Sequence, residues 1–122
     1  MSIFVFGSNK KGVHGAGTAK IAAQQYGAEF GVGEGRTGEA YAIPTKETPY
    51  KRLSLRDVQE GVERFLTYAR EHPGLKFRVV RIGCGLAGFS DDEMAPLFNG
   101  ASVNCSFDPL WEKYGLKPWN RD

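Results

Sequence analysis

The stretch IFVFGSNKKGVHGAGTAKIAAQQYG, Ile3 to Gly27, changes character twice. "IFVF" (Ile3–Phe6) is a short apolar run that stops at Gly7, as a buried strand does. Gly12, Gly15 and Gly17 then crowd a loop. From Ala16 to Tyr26 the spacing becomes helical, with Ala19, Ala22, Ala23 and Tyr26 on one face and Gly27 as the stop. Small alanines on an inner face predict close packing against a sheet. The stretch therefore reads as strand, glycine-rich loop, helix.

The loop comes near a nucleotide-triphosphate motif. Gly12 and Gly17 have the G-x-x-x-x-G spacing, but Thr18-Ala19-Lys20 follows in place of Lys and then Ser or Thr. Lys20 falls inside the helix, and no later strand ends in an Asp that would suggest a magnesium site. Two readings stay open: a tight strand–helix connection, or a backbone-amide cradle for phosphate that needs neither lysine nor metal.

Further along, "GAEFGVGEGRTGE" (Gly27–Glu39) reads as a long loop. Its literal G-x-G-x-x-G, at Gly33, Gly35 and Gly38, leads into the strand-like "AYAIPT" (Ala40–Thr45) rather than opening a helix, so it is not a dinucleotide fingerprint. Pro49 to Arg52 reads as another loop. Ser54 is placed to cap a helix whose stripe is Leu55, Val58, Val62, Phe65, Leu66 and Ala69, ending at His72-Pro73-Gly74. "KFRVVRIG" (Lys76–Gly83) is the next strand, and "GCGLAGF" (Gly83–Phe89) a second glycine loop. Ser90 can cap a short helix with Asp91, Asp92 and Glu93 in its first turn, where the helix dipole favours carboxylates. "SVNCSF" (Ser102–Phe107) reads as a last strand, and Asp108-Pro109 opens a turn to about Tyr114.

Strands that alternate with helices predict an α/β fold with a mixed or parallel sheet. Both glycine loops leave the carboxyl end of a strand and run into a helix, at the edge where open α/β sheets bind ligands. Helix N-termini there offer unpaired N–H groups and a favourable dipole to anions.

Bulk properties narrow the function. The chain of 122 residues is sized for one domain, 1–122, and its 41% hydrophobic and 25% charged content is ordinary. A net charge of +2 and scattered basic residues argue against a nucleic-acid partner. No apolar run approaches the roughly 18 residues that span a bilayer, so no membrane association is expected. The start resembles no secretory signal, and Cys84 and Cys105 form no disulfide framework; a reduced, cytoplasmic protein is the expectation. With His14 and His72 the cysteines show no metal-ligand spacing, so neither metal nor cofactor is expected. Sixteen glycines are nearly double the usual share of about 7%, which points to turns or a close backbone approach to something.

Individual side chains stay open at this point. His14 reads as a base, a ligand contact or a polar loop residue. Cys84, between glycines, reads as a packed thiol rather than a nucleophile. Asp91 and Asp92 are helix-start residues or chemistry. Lys46 is surface charge or the partner of a phosphate or carbonyl.

Four segments together resemble the macro domain, the ADP-ribose-binding fold. "FVFGSN" with "GVHGAGTAK" is similar to that family's strand ending in Asn and its first glycine-rich loop. "TGEAYAIPTK" resembles the next strand, and "VVRIGCGLAGF" the strand and second phosphate-binding loop. "RIGCGL" is most similar to the branch that removes ADP-ribose from acidic side chains. The resemblance spans about Ile3 to Phe98. It implies a single-domain three-layer α/β/α fold with a mixed central sheet, shortened at the N-terminus, and ADP-ribose or a related derivative in the cleft. Asn9 would face the distal ribose. Gly12, Val13, His14, Gly15, Ala16 and Gly17 would wrap ribose and diphosphate. Gly83, Cys84, Gly85, Leu86, Ala87, Gly88 and Phe89 would close the other side. In that branch a Lys after the "IPT"-like strand forms an adduct with the opened ribose, and Lys46 holds the matching place. The branch's acid–base Asp after "GCGL" is Ala87 here, with Asp91 or Asp92 as the substitutes. The family's N-terminal Gly-Asp pair, which reads adenine, has no counterpart, and Trp111 and Trp119 lie in a tail with none either, whose aromatics would cap the core or cover the missing adenine wall. The resemblance implies ADP-ribose binding first. The alternatives are an ADP-ribosyl hydrolase or ADP-ribose-1″-phosphate phosphatase, for which an ADP-ribosylated protein is a candidate partner, and a non-catalytic interaction domain.

Overall fold

A computed structural model describes residues 2–119. Among them the chain runs β1 (Ser2–Asn9), α1 (Gly17–Gln25), β2 (Gly35–Thr37), β3 (Ala40–Thr48), β4 (Lys51–Arg52), α2 (Leu55–Glu71), β5 (Lys76–Val79), α3 (Asp91–Met94) and β6 (Cys105–Phe107). Two 3-10 helices, Ala95–Phe98 and Pro109–Tyr114, flank β6.

The strands form one mixed sheet in the order β2-β3-β1-β5-β6, with β4 paired to the end of β3. β3, β1, β5 and β6 are parallel; β2 and β4 run antiparallel to β3. Val5 lies opposite Tyr41 on one side of β1 and opposite Val79 on the other. β1 therefore sits in the middle, buried by strands on both edges.

Alternation along the strands separates two cores. Ile3, Val5, Tyr41, Ile43, Phe77 and Val79 face α2, whose stripe of Val58, Val62, Phe65, Leu66 and Ala69 is buried against them together with Phe98, Phe107 and Trp111. Phe6, Ala40 and Ala42 face the other way and meet Ala19 and Ala22 of α1. The result is three layers, α/β/α. α1, between β1 and β3, packs on one face, and α2, between β3 and β5, on the other. The winding reverses at β1, so the loops after β1 and β5 part toward opposite layers and leave a crevice between them. Among the described residues no helix is long and apolar enough to cross a membrane.

The helices follow their sequence signals. Ser54 Oγ accepts from Asp57 N to cap α2, and Ser90 forms a full capping box with Glu93. The differences lie where apolar periodicity is weak. Gly27–Glu39 is not all loop, because Gly35–Thr37 pairs with Ala40–Ala42 as β2. Lys51–Arg52, read as loop, forms β4. The last strand begins at Cys105 rather than Ser102, and β5 stops at Val79 before the second glycine loop. Gly-Arg-Thr and Lys-Arg carry no apolar alternation; backbone pairing with β3 makes them strands.

Candidate ligand-binding cleft

The crevice is a cleft of about 990 Å³ at the carboxyl ends of β1, β3 and β5. Gly15, Ala16, Gly17, Thr18 and Ala19 line one wall and Gly83, Cys84, Gly85, Leu86 and Ala87 the other. Asn9, Val13, Thr45 and Lys46 lie between them, and the exposed Tyr50 stands at the mouth on the β3–β4 turn.

The first loop is held from beneath. Asn9 Nδ2 donates to Val13 O at 2.9 Å, and Asn9 Oδ1 accepts from Val13 N at 3.1 Å. Gly12 N donates to Asn9 O. Asn9 thus serves the loop first: its amide fixes Val13 rather than standing free for a ribose. Gly12 has φ +70°, and a Cβ there would lie 2.3 Å from the Gly31 carbonyl carbon. Its missing side chain is a demand of the fold, and Gly12 is not among the residues lining the cleft.

His14 also turns inward. It is 6% exposed, its Nε2 lies 3.0 Å from Glu29 O, and its ring meets Phe6 edge-on at 5.4 Å. Of its three readings, this placement is the packed loop residue; the ring does not line the cleft.

Beyond Val13 the loop changes role. No side chain among the described residues caps α1 at Ala16, and its first turn holds no acidic residue, although α2 and α3 are both serine-capped. The N–H groups of this first turn therefore face the cleft with the positive end of the helix dipole behind them.

Gly15 and Gly85 differ from Gly12. Both line the cleft, neither has a positive φ, and a Cβ on either would meet no described atom within 4 Å. Local folding does not require glycine at these two places. A ligand lying against the backbone would.

The second loop is closed by its own backbone. Gly88 N donates to Gly85 O and Phe89 N to Gly83 O. Phe89 is 5% exposed, packs in the core and lies 4.3 Å beneath the Arg52 guanidinium. Neither Gly88 nor Phe89 lines the cleft; they shape the loop from below. Burial, reinforced by the Asp91 carboxylate, pushes the Cys84 thiol up to about 12, so it stays neutral at neutral pH. The inert reading of Cys84 fits this environment.

Asp91 and Asp92 do not reach the cleft. The Arg81 guanidinium binds both Asp91 oxygens, at 2.8 and 2.7 Å, and Trp111 Nε1 donates to Asp91 Oδ1 at 2.7 Å. These hydrogen bonds, Arg81 first, hold the Asp91 carboxyl well below the usual carboxylate range. Asp91 thus clasps the end of β5 to α3 and to the buried Trp111, and stays ionised at neutral pH. Asp92 accepts from Tyr114 Oη. A group that must exchange protons near neutrality is poorly served by Asp91.

Lys46, at the end of β3, does line the cleft and is half-buried. The other cations on the lining are Arg78 and Arg81, and the carboxylate among the described lining residues is Asp108. Arg81 is neutralised by Asp91, so Lys46 and Arg78 supply the cationic character of the cleft. Leu86 (68% exposed), Ile21 and Tyr50 form an apolar rim. Of these lining groups, Phe4, Thr45, Arg78 and Val80 lie in strand segments of the sequence, Tyr50 in a loop and Asp108 at the opening of the last turn, and none of them reads there as a site residue. The two tail tryptophans separate: Trp111 is fully buried in the core, whereas Trp119 lines the cleft.

No protein-family model matches the chain, and no curated protein matches it. Among solved structures it is similar to one titled "Structure of a Protein of Unknown Function from Bacteroides thetaiotaomicron". The identity is 16%, the match covers 88% of this chain and 87% of the other, and the TM-score is 0.63. At that identity the likeness is one of fold.

Proposed function

We propose that this chain is a macro-like protein that binds ADP-ribose or a related ADP-ribose derivative between its two glycine loops. One observation carries the reading. Gly15 and Gly85 stand on opposite walls of one cleft, with neither positive φ nor a crowded Cβ position to account for them. Two bare backbone walls next to a helix start that no side chain caps suit a diphosphate, whose oxygens accept from N–H groups without lysine or metal. The resemblance of the four segments to macro domains supports the choice of ADP-ribose among diphosphates. The same resemblance supports a cytoplasmic setting.

A second reading, removal of ADP-ribose or of its terminal phosphate, is favoured by Lys46 on the cleft wall. The engagement of Asp91 by Arg81 and Trp111, and of Asp92 by Tyr114, weighs against it. Binding is therefore the primary reading. Titration calorimetry with ADP-ribose, AMP and NAD tests it: ADP-ribose should bind most tightly, and absence of heat with all three would overturn it. Incubation with an ADP-ribosylated peptide and with ADP-ribose 1″-phosphate tests the second. Product release that survives Lys46→Ala would remove the adduct mechanism.

A further inference from the structure

The cleft does not end at the glycine loops. It continues down the α1 face of the sheet, where its lining includes Phe4, Tyr26, Arg78, Val80 and Trp119. α1 rests its alanines on Phe6, Ala40 and Ala42, over β1 and β3. Arg78 of β5 is opposite Phe4 and shares its face, yet it is exposed. Part of this sheet face is therefore an open groove beside the helix.

The groove walls are flat. The Phe4 and Tyr26 rings are parallel, 4.4 Å apart with 5° between their planes. Across from them the Arg78 guanidinium lies 4.7 Å from the centre of the Trp119 ring. Phe4, Tyr26 and Trp119 are each only half-buried. Phe4 is three residues before Gly7, a span of about 10 Å along the strand. A nucleoside held by its phosphates at the loops would extend in that direction. We propose that this groove is a stacking site for the base of the ligand, and that it accepts purine and pyrimidine bases alike. The proposal rests on the diphosphate reading of the loops. Its added content is that the partners here are ring faces, a guanidinium plane and the aliphatic Val80. Such partners bind the π-face that every base has and do not read its edge. The lining carboxylate, Asp108, accepts from Leu110 N through Oδ1 at 2.9 Å, which holds it at the start of the following 3-10 helix.

Trp119 makes the groove observable, because the other tryptophan, Trp111, is fully buried in the core. The test is tryptophan fluorescence with ADP-ribose, a UDP-linked sugar, adenosine and ribose 5-phosphate, alongside calorimetry. The three compounds with a base should quench the emission, and ribose 5-phosphate should not. ADP-ribose and the UDP-linked sugar should bind within about tenfold of each other. Trp119→Ala and Arg78→Ala should each weaken both by about 5- to 150-fold, the range of one base–aromatic stack, and leave ribose 5-phosphate binding unchanged. Nucleotide binding with unchanged emission and undiminished affinity in both variants would overturn the groove while leaving the diphosphate reading intact. A UDP-linked sugar more than 100-fold weaker than ADP-ribose would overturn the tolerance for bases. Saturable quenching by adenosine, with ADP-ribose binding no more tightly than adenosine and no heat from pyrophosphate, would support the groove and overturn the diphosphate reading instead.

Discussion

Replacing Gly85 by Glu separates a glycine kept for a ligand from one kept for the fold. Gly85 has an ordinary φ, and a Cβ there would meet no described atom within 4 Å, so the protein should accommodate the side chain. As an exposed surface change it should move stability by no more than about 0.5 kcal/mol, or about 2 °C in Tm for a domain of this size. Binding should respond very differently. A carboxylate about 5 Å from a diphosphate repels each unit charge by about 0.8 kcal/mol even at the full dielectric of water. Two charges give about 1.7 kcal/mol, roughly a 15-fold loss, and an effective dielectric near 20 would make the loss several powers of ten. Calorimetry with ADP-ribose and a thermal melt on the same preparation read both quantities. Gly85→Ala serves as the uncharged control and should melt no lower than the parent, since it restricts the unfolded chain. Unchanged affinity in Gly85→Glu would refute the placement of the diphosphate. A lost affinity matched by a lost fold would refute the claim that Gly85 is free of structural duty.

Gly12→Ala should do the reverse. With φ +70° and a Cβ position 2.3 Å from the Gly31 carbonyl carbon, it should cost roughly 2–5 kcal/mol of stability in a urea melt. Asp91→Ala removes the acceptor of Arg81 and of the buried Trp111 indole, and should cost about 2–3 kcal/mol. The Asp91 carboxyl is held below its unfolded value, so its contribution is present above about pH 4 and is lost as pH falls toward the lower folded value. Asp91→Asn should therefore flatten the acid limb of the stability curve, measured by urea melts between pH 7 and pH 3. Lys46→Ala should weaken ADP-ribose about fivefold, the value of about 1 kcal/mol for a charge pair some 4 Å apart in water, with Tm unchanged. A loss of more than a thousandfold would mean that Lys46, not backbone, carries the binding.

Periodicity in the sequence made the layers readable. The α2 stripe from Leu55 to Ala69 and the apolar runs at Ile3–Phe6 and Lys76–Gly83 each bury a face, and buried faces leave a regular apolar spacing. β2 and β4 left none, because Gly35–Thr37 and Lys51–Arg52 are held by backbone pairing to β3. The walls of the site were legible as glycine loops, but the glycines within them were not distinguishable. Gly12 and Gly15 look alike in a string of residues, and only the backbone conformation and the approach of Gly31 to Gly12 tell them apart. The same limit applied to charge. Asp91 and Asp92 lie seven and eight residues after Cys84 and read as candidates for chemistry, whereas Arg81, Trp111 and Tyr114 claim them in space. The groove was hidden because Phe4, Arg78 and Trp119 come from three separate segments that only the sheet brings together.

The central claim is that backbone amides on two loops hold a diphosphate, and amide chemical shifts report on it directly. In a 15N-labelled sample titrated with ADP-ribose, the largest shifts should fall on Gly15–Ala19 and on Gly85–Ala87. Smaller shifts should reach Trp119, and the amides of α2 should stay still. Shifts centred elsewhere, or on one loop with the other silent, would contradict the account.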